Sequence, residues 1–399
     1  MATRMAIVQE WLASRAGSEK VFEAMAGTYP EADLYALTWD RRAEFDFGGR
    51  PVTTTFLDRS RTLRDRRALS LPLMPLAWRT IDVRDEYDVV VSSCHAFARE
   101  FPPARTAAHF CYVHSPLRYA WVPEIDGRTR RGVPGASLAF AGLRWFDSRT
   151  VEGVDHFAAN STTVRDRIRE CYDRDSVVIH PPVDTEFYTP AEGVVERSGV
   201  LAVSRFIPYK RVDLAIEAAA AAGVPITVAG SGPEESALRR LAADVGAEAT
   251  FEISPSDERL RELYRHASAL VFPANEDFGI VPVEAQACGT PVVSLDVGGT
   301  RDTVVQGETG VRVEHQSVSD FADAIRHLVD TPPADGACRA NAELFSAACF
   351  SSNLTSWVSE HTESSTTRVA PAVPAPRLSS DNGTHAAANA TRPPTAAAR

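Results

Sequence analysis

Lysine is almost missing from this chain: 40 of its 42 basic residues are arginine, and only Lys20 and Lys210 are not. A position that keeps lysine against that bias is a candidate for a compact point charge. Long apolar runs are missing as well. None reaches the roughly 18 residues that a membrane-spanning helix needs. Met5 to Val8, behind Met1-Ala2-Thr3-Arg4, is too short for the apolar centre of a secretory leader, so the sequence predicts a cytoplasmic protein. The six cysteines are scattered without a Cys-x-x-Cys pair. They indicate neither a zinc site nor a disulfide framework and read as buried thiols. A net charge of −11 argues against nucleic acid as a partner.

With 399 residues, 44% of them apolar, the chain exceeds the size at which one hydrophobic core keeps growing, and two domains are expected. Residues 1–183 carry 25 basic and 24 acidic side chains, whereas residues 184–399 carry 17 and 29, so the halves face different partners. In each half short apolar runs alternate with helical stretches, the pattern of a parallel sheet covered on both faces. Strands are predicted at Ala6–Val8, Asp33–Leu37, Asp88–Ser92, Ala108–His114, His156–Ala159 and Val177–Ile179. A second series follows at Gly199–Ser204, Ile226–Ala229, Ala249–Ile253, Ala269–Phe272, Val292–Ser294 and Val311–Val313. The prolines of His180-Pro181-Pro182-Val183 break the ladder between the two series. The expected fold is therefore α/β, with two Rossmann-like domains at 1–183 and 184–361 and a ligand at the strands' carboxyl ends, across the cleft between them. Residues 362–399, rich in Ala, Pro, Ser and Thr, are predicted to be a disordered tail.

Four segments could carry chemistry. Arg205 ends a strand and Lys210 follows just before a helix, a placement suited to a diphosphate; an ordinary basic surface loop is the alternative. Gly230 and Gly232, in Ala229-Gly230-Ser231-Gly232-Pro233, suit a phosphate loop, and a tight strand-to-helix turn explains them equally well. In Glu276-Asp277-Phe278-Gly279-Ile280-Val281-Pro282-Val283-Glu284 a helix opens, with the amides of Phe278 to Val281 available to an anion. The spacing lets Glu276 face a transferred sugar and Glu284 accept hydrogen bonds from ribose hydroxyls. In the first half Gly17-Ser18-Glu19-Lys20 opens a helix. His114 stands at the end of a buried strand, and His95 follows another. A structural histidine and a plain helix cap are the simpler readings of these. Asp173-Arg174-Asp175 matches a metal-binding Asp-x-Asp string but falls in a helix-to-strand turn, and no metal site is assigned. Arg59, Arg61, Arg64, Arg66 and Arg67 precede the apolar stretch Leu69 to Trp78, a pairing that suits an anionic membrane surface or, equally, a solvated turn beside a core segment.

Together, Ser204-Arg205-Phe206 through Lys210-Arg211-Val212-Asp213, the Ala-Gly-Ser-Gly-Pro turn, and the Glu276/Glu284 pair with Ala287-Cys288-Gly289-Thr290-Pro291 resemble the family-4 retaining glycosyltransferases. The resemblance spans about residues 5–360. It implies a GT-B fold in which a C-terminal helix, within about 340–360, crosses back onto the first domain. It further implies that Arg205 and Lys210 hold the donor diphosphate, that Glu284 holds the ribose, and that Glu276 with Phe278, Gly279 and Ile280 faces sugar and phosphates. Ser92-Ser93-Cys94-His95 and His114-Ser115-Pro116-Leu117-Arg118-Tyr119 resemble a subgroup containing GDP-mannose-dependent mannosyltransferases of polysaccharide and glycolipid assembly. That implies a metal-independent hexosyltransferase using GDP-mannose and a glycan or lipid-linked acceptor. The family usually has two glycines where this chain has Gly17-Ser18. An epimerase acting on nucleotide sugars and a catalytically inert nucleotide-sugar-binding subunit are the alternatives.

Overall fold

The computed structural model describes residues 3–13, 17–65, 67–121, 136–193 and 195–365. The first sheet has seven parallel strands in the order β3-β2-β1-β4-β5-β6-β7. These are β1 Met5–Leu12, β2 Asp33–Trp39, β3 Val52–Thr54, β4 Val89–Cys94, β5 Ala108–Val113, β6 His156–Ala159 and β7 Val177–Val178. Its main helices are α1 Gly17–Thr28, α2 Ala136–Thr150 and α3 Thr162–Tyr172. The second sheet has six parallel strands in the order β10-β9-β8-β11-β12-β13. Here β8 is Val200–Arg205, β9 Ile226–Ser231, β10 Ala249–Ile253, β11 Ala269–Phe272, β12 Val292–Leu295 and β13 Gly310–Val313. Its helices are α4 Val212–Ala222, α5 Glu235–Asp244, α6 Asp257–His266, α7 Ile280–Ala287, α8 Val318–Asp330 and α9 Ala337–Glu343.

Side chains alternate across a strand, so each sheet builds two apolar layers. Ala6 and Val8 of β1 pack with Trp78, Val90 and Cys111 on one side, while Ile7 packs with Phe22, Val91 and Tyr112 on the other. Val200 and Ala202 of β8 join Ile216, Val271 and Phe321, while Leu201 joins Tyr264, Leu270 and Val283. Serine caps fix where several helices begin: Ser161, Ser256 and Ser317 accept the amides of Val164, Arg259 and Asp320.

The last helix, α10, runs over Ala347–Ser365. Its Phe350, Leu354, Trp357 and Val358 enter the first sheet's apolar layer, although residues up to 361 are assigned to the second domain by sequence. Burying each such side chain contributes about 1.5–3 kcal/mol. The helix also overruns the boundary set for the tail, since residues 362–365 are helical and the Thr362 hydroxyl donates to the Val358 carbonyl at 2.6 Å. The rest of the predicted tail, 366–399, lies outside the described residues. Val183, placed at the end of the first domain by sequence, packs in the second domain's core and donates its amide to the Phe345 carbonyl at 2.8 Å.

Candidate functional site

The two sheets present their carboxyl ends to one cleft of about 510 Å³. Its second-domain wall begins where β8 ends. After Arg205 the chain makes a single 3₁₀ turn, Pro208–Lys210, and Arg211 then takes a left-handed conformation at φ 53° before α4 starts at Val212. Lys210 thus stands just before the helix, as the sequence reading has it, and its ammonium ion-pairs with Glu276 in the cleft wall. Arg205 also lines the cleft, exposed, and donates to the Tyr209 hydroxyl at 3.1 Å.

The β11-to-α7 loop forms the adjoining wall. Gly279 sits at φ 95° and turns the chain into α7, so that Phe278, Gly279, Ile280 and Val281 all face the cleft. A second loop, overlooked in the sequence, supports this one from behind. The Gly299 amide donates to the Glu276 carbonyl at 2.8 Å, and a Cβ on Gly299 would stand 2.1 Å from the Phe278 carbonyl oxygen. The signal for it was present in Gly298-Gly299 directly after β12. Glu284 lies one turn into α7, behind the cleft's lining. Its carboxylate accepts from the Tyr264 hydroxyl at 3.2 Å and from Lys20 of the first domain at 3.5 Å. Burial pushes the Glu284 carboxyl up from its ordinary value, with the Lys20 charge the largest opposing influence.

From the first domain come Gly17, Ser18, His95, His114 and Asn160. Gly17 is pressed against the other domain, where a Cβ would meet Ile280 Cδ1 at 2.8 Å. His114 bonds through Nε2 to the Ser93 hydroxyl at 2.8 Å, and its ring stacks on His95 at 4.4 Å between centroids. His95 stacks in turn on Trp11 at 5.6 Å. The stack rests on Glu10, whose fully buried carboxylate accepts the amides of His95, Ala96 and Ala98 at 3.1, 2.8 and 2.9 Å. Burial pushes the Glu10 carboxyl up, and these amides pull it back. The role of Glu10 was invisible in the sequence, because its partners lie 85 to 88 residues away. Asn160, which donates to the His114 carbonyl at 3.0 Å, is a cleft residue that the sequence reading did not single out.

Of the residues singled out by sequence, Gly17, His114, Arg205, Lys210, Gly230, Glu276, Phe278, Gly279, Ile280 and Val281 share this cleft; Gly232 and Glu284 do not line it. Gly230 and Gly232 allow close backbone packing: a Cβ on Gly230 would lie 1.8 Å from the Ser204 carbonyl oxygen, and one on Gly232 2.5 Å from that of Phe206. Asp173 takes φ 51° and closes α3, and Asp175 pairs with Arg169 at 2.6 Å, away from the cleft. Among the described residues no group of three or more His, Cys, Asp or Glu side chains converges as a metal site. No helix there is long and apolar enough to cross a membrane. The arginine-rich segment is partly neutralised, with Arg64 at 3.8 Å from Asp58 and Arg61 at 3.4 Å from Asp65; Arg66 lies outside the described residues. Within the following apolar stretch Met74, Ala77 and Trp78 turn into the core, while Leu69 and Leu76 are half exposed.

Residues 18–187 match the family model described as Glycosyltransferase Family 4, and residues 185–345 match Glycosyl transferases group 1. The D-inositol 3-phosphate glycosyltransferase of Mycolicibacterium smegmatis is 34% identical over 219 residues, covering 49% of this chain and 50% of that protein. The protein of the same name from Rhodococcus erythropolis is 33% identical over 213 residues, covering 47% and 48%. The matches thus span about half the length of these relatives. Among solved structures, sucrose-phosphate synthase of Thermosynechococcus elongatus superposes with a TM-score of 0.69 at 18% identity, over 90% of this chain and 100% of that one. Anabaena HepE in complex with UDP and glucose gives 0.65 at 17% identity, over 90% and 100%. At such identities the likeness concerns the fold, which is GT-B.

Proposed function

We propose that this GT-B chain, whose two halves match Glycosyltransferase Family 4 and Glycosyl transferases group 1, is a family-4 glycosyltransferase that transfers a hexose from a nucleoside-diphosphate sugar to an acceptor hydroxyl with retention of anomeric configuration. The observation that carries this reading is the convergence of Lys210, Glu276 and the amino end of α7 with His114 and Gly17 in one cleft between the domains. A departing diphosphate gathers negative charge. Arg205, Lys210 and the first amides of α7 are the groups placed to stabilise it. Release of Lys210 from Glu276 toward the phosphates would leave that carboxylate facing the sugar. The Ser204 hydroxyl, in the cleft wall, has no hydrogen-bond partner among the described residues and suits a polar ligand.

His114, held by Ser93 and stacked on His95, positions the sugar; a donor phosphate oxygen takes the acceptor's proton. The reading needs no metal, because fixed cations and helix amides carry the charge. Mannose from GDP-mannose and a glycan or lipid-linked acceptor follow from the subgroup resemblance. The relatives' name favours a phosphorylated inositol as an alternative acceptor. Half-exposed Leu69 and Leu76, in the stretch that follows exposed Arg59 and Arg61, support a contact with an anionic membrane when the acceptor is lipid-linked.

Calorimetric titration of GDP-, UDP- and ADP-sugars into the full chain, followed by turnover assays with and without each acceptor class, tests the reading. Transfer should require an acceptor, persist in chelator and yield the retained anomer. Lys210→Ala should abolish turnover, a loss of at least about 100-fold for removal of one fixed charge from the transition state. Isomerisation of the donor without acceptor would favour an epimerase, and undiminished activity of Lys210→Ala would remove that residue from the mechanism.

A further inference from the structure

The chain keeps two lysines, and each is paired with one member of the same glutamate pair: Lys210 with Glu276 inside the second domain, and Lys20 with Glu284 across the cleft. The second pairing is not explained by the reading above. Lys20 lies in the first turn of α1, three residues after Gly17, whose missing Cβ lets α1 approach Ile280 at the head of α7. The Lys20 side chain is about one-third exposed, while that of Glu284 is only 7% exposed. A carboxylate so deeply buried is costly without a nearby cation, and the largest influence opposing its burial is the Lys20 charge. Tyr264 and Asp257 of α6 face it, together with Tyr188 and with Cys288 at the end of α7; these are hydroxyls, a thiol and a like charge. The opposite charge among the strongest influences on Glu284, that of Lys20, comes from the other domain.

We propose that Lys20 is a positioning residue of the donor site: reaching from the first domain, its ammonium holds the Glu284 carboxylate as an acceptor for the donor's ribose hydroxyls, so that this end of the site is complete only when the domains are closed. The inference rests on the donor reading above and adds to it a first-domain residue that acts through a second-domain one. A carboxylate offers about four lone-pair directions. Tyr264 and Lys20 occupy two of these, leaving others for a ribose diol. The arrangement ties nucleotide affinity to domain closure through one ion pair.

GDP and UDP, each with its 2′-deoxy and 3′-deoxy analogue, are titrated calorimetrically into the full chain and into Lys20→Met and Lys20→Arg between pH 5 and 8, with thermal melting as the check on folding. Burial favours the protonated form of Glu284 and Lys20 opposes it, so removing the lysine moves protonation, and with it the loss of binding on acidification, to higher pH. Lys20→Met should bind the better nucleotide roughly tenfold more weakly at neutral pH, as weakening one hydrogen bond to a charged group would do. Its acid limb should lie higher than that of the wild type. The deficit should shrink for the deoxy analogue lacking the hydroxyl that Glu284 receives. Lys20→Arg, which keeps the charge, should restore most of the affinity and the wild-type pH profile. Tighter binding by Lys20→Met would show that Lys20 competes with the ribose instead, and an unchanged pH profile with an undiminished preference for ribose over deoxyribose would show that it acts elsewhere; either overturns the proposal. If wild-type protein binds neither nucleotide, the donor reading itself fails, an outcome separate from these.

Discussion

Glu10 is the residue on which the first-domain side of the cleft depends without touching its contents. Three amides, of His95, Ala96 and Ala98, end on its carboxylate, and the loop they belong to carries His95 against His114. Burial raises its carboxyl and the amides only partly reverse this, so it titrates higher in the folded chain than a free glutamate does. For an acid displaced upward, the folded state keeps a proton that the unfolded chain has released. Its contribution to stability is therefore present below the unfolded pKa and lost as pH rises through the folded one. Glu10→Gln removes that titration and turns an amide toward amide donors. The cost of an unsatisfied buried donor is about 1–3 kcal/mol. The expected outcome is a lower melting temperature whose dependence on pH above about 4.5 is flatter than that of the wild type, with turnover reduced as the His95–His114 stack shifts. Melting curves from pH 4 to 8 check it, and identical slopes for the two proteins would show that Glu10 does not titrate in this window.

At the scale of elements, the glycines at the end of β9 and just after it set how closely two strand ends approach. A Cβ on Gly232 would stand 2.5 Å from the Phe206 carbonyl oxygen and 2.7 Å from its amide nitrogen, both backbone atoms that cannot swing aside. Gly232→Ala should therefore push the Phe206–Lys210 segment outward and cost about 1–3 kcal/mol, as overpacking does. Because that segment carries Lys210, donor affinity should fall by more than the melting temperature alone implies. Equal affinity in a destabilised variant would confine the glycine to folding. This contact was half legible in the sequence: Gly-x-Gly-Pro announced a tight turn but not what it packs against. The strands were read to within a few residues because β-branched runs such as Val89-Val90-Val91 signal burial locally. The three-residue β3 was missed, being too short to show a period beside Pro51 and Thr53-Thr54-Thr55. Lys210, Glu276 and the head of α7 were readable because they fall within continuous motifs. Lys20 stood out as a retained lysine, but neither its partner nor the role of Glu10 was readable, because those partners lie 85 or more residues away, in pairings that only the folded sheets define.

At the scale of the molecule, three polar contacts among the described residues tie the first domain to α7, its preceding loop and the Thr300–Thr303 turn of the second. Arg167 of α3 ion-pairs with Asp277, Thr162 donates its amide to Asp302 at 2.7 Å, and Lys20 reaches Glu284 at 3.5 Å. The α10 crossing binds the chain's end to the first sheet and contributes no residue to the cleft's lining. Closure is thus held by interactions that water can replace, whereas each domain is held by its own apolar layers. In the closed form Asp277 and Arg167 are largely desolvated, with side chains 7% and 15% exposed. Opening rehydrates both, so losing the pair should change the balance between closed and open forms far more than the unfolding of either domain. A hydrogen bond to a charged group contributes about 1.5–3 kcal/mol, enough to shift that balance by about tenfold or more. Asp277→Ala and, separately, Asp302→Ala should raise the radius of gyration in small-angle scattering and raise the donor's KM, while moving the melting temperature by no more than a few degrees. Scattering profiles unchanged from the wild type in both variants would show that closure does not depend on these contacts. A large fall in melting temperature would instead place the pairs within the folding unit.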